Sequence, residues 1–173
     1  MSNGTENLAA GIRMLIEPAL ARPADLQIRV ARTGSFYAVT ATVHPGDMPR
    51  LIGTAGNNIK ALKAILVHVG ERSQVSIRLT AVDPPRTSSE RFATAPSRNW
   101  KQKPLVDCAK AALRMARYDD TLIGPDEMGE KYFLTCPTPL DTAFAEGLCR
   151  WLHVVGRALG GNVVFVNERT STV

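Results

Sequence analysis

No part of the 173-residue sequence approaches the roughly 18 consecutive apolar residues that a membrane-spanning helix needs. The first residues, Met-Ser-Asn-Gly-Thr-Glu, also lack the basic and apolar pattern of a secretory signal. These two absences argue against a membrane protein and predict a soluble, cytoplasmic one.

Cysteine is scarce as well. Cys108, Cys136 and Cys149 are the three cysteines, and their wide spacing contains no C-x-x-C pair. An odd number of scattered cysteines argues against a disulfide framework or a zinc site. We therefore expect buried free thiols in a reducing compartment.

Residues with catalytic or metal-binding potential do not cluster in the sequence. The three histidines (His44, His68 and His153) stand far apart, and no nucleophile has a partner that can be identified. The acidic pairs at 119–120 and 126–127 lack the alternating spacing of a calcium loop and are predicted to mark exposed turns. The sequence predicts no enzyme, no metal and no cofactor.

Positive charge is concentrated in the first part of the chain. Residues 1–82 carry nine Lys and Arg against five Asp and Glu, residues 83–104 carry five against two, and residues 105–173 carry seven against nine. This distribution suits a polyanionic partner for the first half. On charge alone, a solvated surface with a basic linker is equally consistent.

Periodicity predicts six elements in the first half. They are a helix over 6–20, strands over 25–32 and 36–43, helices over 48–52 and 57–69, and a strand over 74–82. Asp47 is predicted to cap the short helix, and Gly70 to end the longer one. The predicted order is therefore α-β-β-α-α-β.

The two adjacent helices are joined by Gly53-Thr54-Ala55-Gly56. Glycine has no Cβ and reaches positive φ at little cost, so such a loop can bring bare backbone close to a ligand. The N–H groups at the start of the following helix would favour a phosphate. A lone G-x-x-G is a weak motif in a chain with 13 glycines, so its position between two helices carries the prediction.

This order of elements, with the glycine loop in this position, resembles a type II KH domain, the bacterial topology of that RNA-binding module. Residues 43–56 (VHPGDMPRLIGTAG) are especially similar to the small bacterial single-KH proteins. The resemblance covers roughly residues 6–82. It implies an α+β fold in which helices pack on a three-stranded sheet.

The resemblance implies binding of single-stranded RNA without catalysis, with the loop backbone clamping the phosphates of about four unpaired nucleotides. The candidate RNA-binding residues are Arg50, Ile52, Gly53, Thr54, Ala55, Gly56, Asn57, Asn58, Lys60 and Lys63. Ile52, with Leu51 and Ile59, would line an apolar groove, although all three suit a core equally well. The asparagines are equally ordinary helix caps.

The variable pair of the loop departs from the family pattern. Many KH loops that bind nucleic acid carry a Lys or Arg there, whereas this chain has Thr54 and Ala55. The loop alone is therefore expected to bind weakly.

Residues 83–104 are rich in proline, serine and basic residues and read as a linker. The order helix, strand, strand, helix, strand then returns over 105–118, 121–123, 131–136, 140–159 and 162–167, with a turn predicted at 124–126. We predict a second, degenerate KH-like α/β domain over 105–173 that lacks the G-x-x-G loop. The apolar stripe of helix 140–159 fits either packing between the halves or a homodimer interface.

Two functions remain open from the sequence. The first is a bacterial RNA-binding protein that clamps single-stranded RNA, with single-stranded DNA left open as a ligand. The second is a KH-fold scaffold that binds protein, as a homodimer or through its second domain. Basic residues around the loop favour RNA, whereas the non-basic variable pair and the acidic second half favour the scaffold.

Overall fold

The computed structural model describes residues 3–82, 102–118, 122–125, 131–135, 140–159 and 164–167. The predicted linker lies outside these ranges except for residues 102–104. These three residues belong to a helix that begins at Gln102, so the prediction that the linker extends to residue 104 is wrong. Cys136 and the acidic pairs at 119–120 and 126–127 also lie outside the described ranges.

The first half follows the predicted order of elements. They are α1 (Asn3–Ile16), β1 (Gln27–Thr33), β2 (Phe36–Thr42), α2 (Met48–Ile52), α3 (Asn57–Arg72) and β3 (Ser76–Val82). The sheet order is β1-β2-β3, with the first pair antiparallel and the second parallel. The predicted α+β class, with a mixed three-stranded sheet packed by helices, is confirmed, and the fold is KH-like.

The second half contains α4 (Gln102–Met115), β4 (Leu122–Pro125), β5 (Lys131–Thr135), α5 (Thr142–Ala158) and β6 (Val164–Asn167). Its strands also pair first antiparallel and then parallel, in the order β4-β5-β6. Gly124 and Pro125 belong to β4, so the turn predicted to begin at residue 124 is wrong. Proline is compatible with β4 because this strand is at the edge of its sheet.

One hydrophobic core spans both halves of the chain. Helix α1 packs on α4, and α3 packs on α5. Most of the predicted stripe of helix 140–159 lies inside this core, since Phe144, Leu148, Leu152, Val155 and Leu159 are all buried. Leu140 precedes α5 and is half-buried against the core. The stripe therefore joins the two halves of one chain, and the division at residues 82 and 105 stays a prediction.

Two glycines allow close packing around α3. A Cβ built on Gly147 of α5 would lie 3.1 Å from the Cβ of Ala64 and 3.2 Å from the carbonyl oxygen of Ala61. A Cβ on Gly70 would lie 2.5 Å from the carbonyl oxygen of Val75. Helix α3 continues beyond Gly70 to Arg72, so the prediction that Gly70 ends the helix is wrong.

A buried polar contact ties α5 and α4 to the end of α1. The indole Nε1–H of Trp151 donates to the carbonyl oxygen of Leu15 at 2.9 Å, and the Cys108 thiol approaches the same oxygen at 3.5 Å. Carbonyls in the last turn of a helix lack partners within it. Side chains from the second half thus satisfy a backbone group of the first.

The Cys108 thiol is fully buried, and burial raises its pKa from 9.0 to about 12, opposed in part by a hydrogen bond with Trp151. An unfolded thiol ionises near its ordinary pKa, so Cys108 contributes fully to stability below pH 9.0 and loses that contribution as the pH rises toward 12. We expect the wild-type unfolding free energy to fall more steeply over this interval than that of Cys108→Ala.

Urea denaturation followed by circular dichroism, at about pH 8 and about pH 10.5, measures this difference. Other groups that lose protons at alkaline pH are present in both proteins. The difference in pH dependence between wild type and Cys108→Ala therefore reports on the Cys108 thiol. Equal pH dependence in the two proteins would contradict the prediction.

Candidate functional site

The loop between α2 and α3 has an unusual backbone. Gly53 has φ 74° and ψ 173°, and Gly56 has φ 75° and ψ 18°. Ala55 lies between them in the left-handed region, with φ 53° and ψ 24°. A left-handed conformation costs an L-residue about 1–2 kcal/mol, and such strain is often found at functional sites.

The sequence-predicted variable pair is presented to solvent. Thr54 and Ala55 are both exposed at the tip of the loop. Leu51, two residues before Gly53, is fully buried and anchors α2 in the core. The backbone at the tip of the loop is therefore accessible to a ligand, and the helix before the loop is held in place by the core.

Asn58 holds the loop in place. Its Nδ2 donates to the carbonyl oxygen of Arg50 at 2.7 Å, which satisfies a backbone group at the end of α2. The side chain also lies against Gly53, where an added Cβ would be 2.4 Å from Cγ of Asn58. In this structure Asn58 positions the loop, whereas Asn57 is exposed as the first residue of α3 after the cap Gly56.

Asp47 lies at the predicted cap position, but its carboxylate does not cap α2. It is 1% exposed and accepts hydrogen bonds from the backbone N–H groups of Ala21 and Arg22, at 2.9 and 2.8 Å. The contact fixes the segment after α1 beside α2. Sequence reasoning missed this role of Asp47 because Ala21 and Arg22 precede it by 26 and 25 residues.

Three cationic side chains surround the loop. Lys60 donates from Nζ to the carbonyl oxygen of Ala55 at 3.2 Å, which places an ammonium group directly on the loop. Arg50 is partly exposed, with Nε 3.9 Å from Oδ1 of Asp47. Lys63 is exposed one turn further along α3. The loop therefore lies in a positively charged environment.

The three apolar candidates for a groove have different positions. Ile52 is 38% exposed, Leu51 is wholly in the core, and Ile59 is half-buried against the core. Of the three, Ile52 offers the most apolar surface to a ligand beside the loop. Leu51 serves packing.

A cleft of about 1100 Å³ runs between the loop and α5. Five of the predicted site residues line it: Arg50, Gly53, Thr54, Asn57 and Asn58. The other five (Ile52, Ala55, Gly56, Lys60 and Lys63) are outside its lining. The predicted residues thus divide between the cleft and the other surfaces of the loop.

The opposite wall of the cleft comes from α5 and includes Arg150, His153 and Arg157. Sequence reasoning missed these residues. Their i, i+3, i+7 spacing was a signal of a shared helix face, but only the packing of α5 on α3 brings that face to the loop.

Two of the histidines serve the fold. Nδ1 of His44 accepts a hydrogen bond from the N–H of Gly46 at 3.1 Å, and Nε2 of His68 lies 2.9 Å from the Tyr118 hydroxyl. Within the described ranges, no group of three or more His, Cys, Asp or Glu residues could hold a metal ion. No described helix is long and apolar enough to cross a membrane.

The chain is similar in sequence to a protein named for RNA binding. The RNA-binding protein KhpA of Chlamydia muridarum (strain MoPn / Nigg) is 28% identical to it over 78 residues, which are 45% of this chain and 95% of that protein. No family model matches the chain. The similarity therefore spans nearly all of that relative and less than half of this chain.

Proposed function

We propose that this protein binds single-stranded RNA, without catalysis, through the Gly53–Gly56 loop and its flanking cations. The observation that carries the proposal is the exposed loop between α2 and α3, in which Gly53, Ala55 and Gly56 all have positive φ. A KH-like fold and a relative named as an RNA-binding protein support the same ligand class.

The loop offers backbone to a phosphate, and its neighbours offer charge. The N–H groups in the first turn of α3 lie at the positive end of its dipole, immediately after the loop. That of Asn57 already donates to the carbonyl oxygen of Thr54, so the donors for a phosphate come from the residues that follow it. Lys60 on the loop, with Arg50 and Lys63 nearby, adds charge that attracts a polyanion. Ile52 adds exposed apolar surface against which a base can lie.

Affinity is expected to depend strongly on salt. Each phosphate contact with a single strand contributes about 0.7 to the slope of log K against log salt concentration. Two or three contacts from the flanking cations would therefore weaken binding roughly tenfold between about 50 and about 200 mM salt.

The test is fluorescence anisotropy with short single-stranded RNA and DNA oligonucleotides at these two salt concentrations. Thr54→Asp/Ala55→Asp places two negative charges where the phosphates would lie, and we expect it to weaken RNA binding more than tenfold. The matched control is Thr54→Asn/Ala55→Asn, which has nearly the same shape without charge. Asp and Asn are both tolerated in the left-handed conformation that residue 55 adopts.

Wild-type binding that the Asp pair loses and the Asn pair retains, with unchanged circular dichroism, would establish the loop as the site. Equal binding by the Asp pair and the wild type would contradict the clamp. Absence of wild-type binding would contradict the whole proposal and favour the KH-fold protein scaffold. The DNA oligonucleotides show whether the sugar is recognised.

A further inference from the structure

The cleft beside the loop has one wall from each half of the chain. On one side lie Arg50, Gly53, Thr54 and Asn57, and on the other lie Arg150, His153 and Arg157 of α5. A chain that crosses the loop and continues on this side must therefore pass along α5. At about 1100 Å³ the cleft is as large as the upper range of small-ligand pockets.

The two arginines on the cleft-facing side of α5, Arg150 and Arg157, do not belong to the hydrophobic core. The buried side of the helix, which includes Leu148, Trp151 and Leu152, already fills the core. By contrast, Arg157 is exposed, and the side chain of Arg150 is 73% exposed with Glu146 at 3.8 Å. The ion pair between Arg150 and Glu146 is exposed and therefore weak, so both guanidinium groups can contact a ligand at the cleft.

The charges along the cleft favour an anionic ligand. Arg50, Arg150 and Arg157 line it, and no Asp or Glu is found among the described residues of its lining. Arg150 and Arg157 are seven residues apart, so they lie about two turns and 10.5 Å apart along one face of α5. Two guanidinium groups in such a row suit two phosphates of one polyanionic strand.

We propose that Arg150 and Arg157 bind the phosphates of the RNA segment that continues beyond the Gly53–Gly56 loop, so that the second half extends the binding site. This inference rests on the proposed function of the loop. It gives α5 two roles, one side packing on α3 and the other contacting RNA. The bound length then exceeds the roughly four nucleotides that one KH loop holds.

The test compares wild type with Arg150→Gln/Arg157→Gln, using single-stranded RNAs of about four and about ten nucleotides. We expect equal affinity for the short RNA. For the long RNA, we expect the variant to bind at least about fivefold more weakly and its salt slope to fall by about 1.4, as for two lost phosphate contacts. Lys110→Gln/Arg114→Gln is the matched control, since it removes two exposed cations from α4, away from the cleft.

Each outcome decides between the site on α5 and the site on the loop. If the α5 variant binds the long RNA like wild type while Thr54→Asp/Ala55→Asp does not, the extension is wrong and the loop site stands. An equal loss in the α4 control would show that net charge alone matters and would also overturn the extension. If the wild type binds neither RNA, both the extension and the proposed function are wrong.

Discussion

Replacing Trp151 by Ala should lower the free energy of unfolding by about 3–5 kcal/mol, the usual cost of removing a large buried aromatic side chain. Trp151 is 0% exposed and is among the largest fully buried side chains of the core. Its loss also removes the hydrogen bond to the carbonyl oxygen of Leu15. Because domains are stable by only about 5–15 kcal/mol, the variant would be close to unfolding.

The shared core determines how the variant unfolds. Trp151 belongs to α5 and Leu15 to α1, so the substitution weakens both halves together. We expect one cooperative transition in urea for wild type and variant, at a lower midpoint in the variant. Far-UV circular dichroism is the suitable measurement because it follows the helices of both halves.

Two further substitutions separate the causes. Trp151→Phe retains an aromatic ring but loses the N–H donor, so its cost should be smaller, about 1–3 kcal/mol. Val67→Ala truncates an apolar side chain that is 51% exposed and should change stability by less than about 0.5 kcal/mol. A Trp151→Ala cost as small as that of Val67→Ala would contradict the shared core.

The local elements around the loop could be predicted from the sequence because they depend on near neighbours. The short helix over 48–52 and the start of α3 at Asn57 agree with the structure. Periodicity, a proline in the first turn and the glycine pair are all local signals. They place the loop between two helices without any knowledge of the rest of the chain.

Contacts between distant residues could not be predicted in the same way. Gly70 has the local pattern of a helix end, yet its role depends on the approach of the Val75 carbonyl. Gly147 stands alone in the sequence of α5, and its role depends on the packing of α5 on α3, which no local pattern indicates. The α5 wall of the cleft was missed for the same reason, because no local pattern relates Arg157 to Thr54.

Replacing Gly53 by Ala should cost about 3 kcal/mol of stability. With φ 74° and ψ 173°, this backbone is in a region essentially reserved for glycine, where strain costs about 1–3 kcal/mol. The added Cβ would also lie 2.4 Å from Cγ of Asn58 and would displace that side chain. The hydrogen bond from Asn58 to the carbonyl oxygen of Arg50, worth about 1 kcal/mol, would then be lost.

Gly34→Ala is the matched control. Gly34 also has positive φ, at 60°, but an added Cβ would meet nothing within 4 Å. Its cost should be only the left-handed strain of about 1 kcal/mol. Urea denaturation of the two variants therefore separates backbone strain from the collision with Asn58.

The same pair of variants links the geometry of the loop to the proposed function. Gly53→Ala moves the backbone that would face a phosphate, so its RNA affinity should fall more than tenfold, whereas Gly34→Ala should bind like wild type. A small shift of the loop suffices, because hydrogen bonds to phosphate weaken steeply outside their distance and angle ranges. The contradicting result is a Gly53→Ala variant that loses no more stability than Gly34→Ala and binds RNA as tightly as the wild type. In that case neither the fixed geometry of the loop nor its contact with Asn58 is needed for binding.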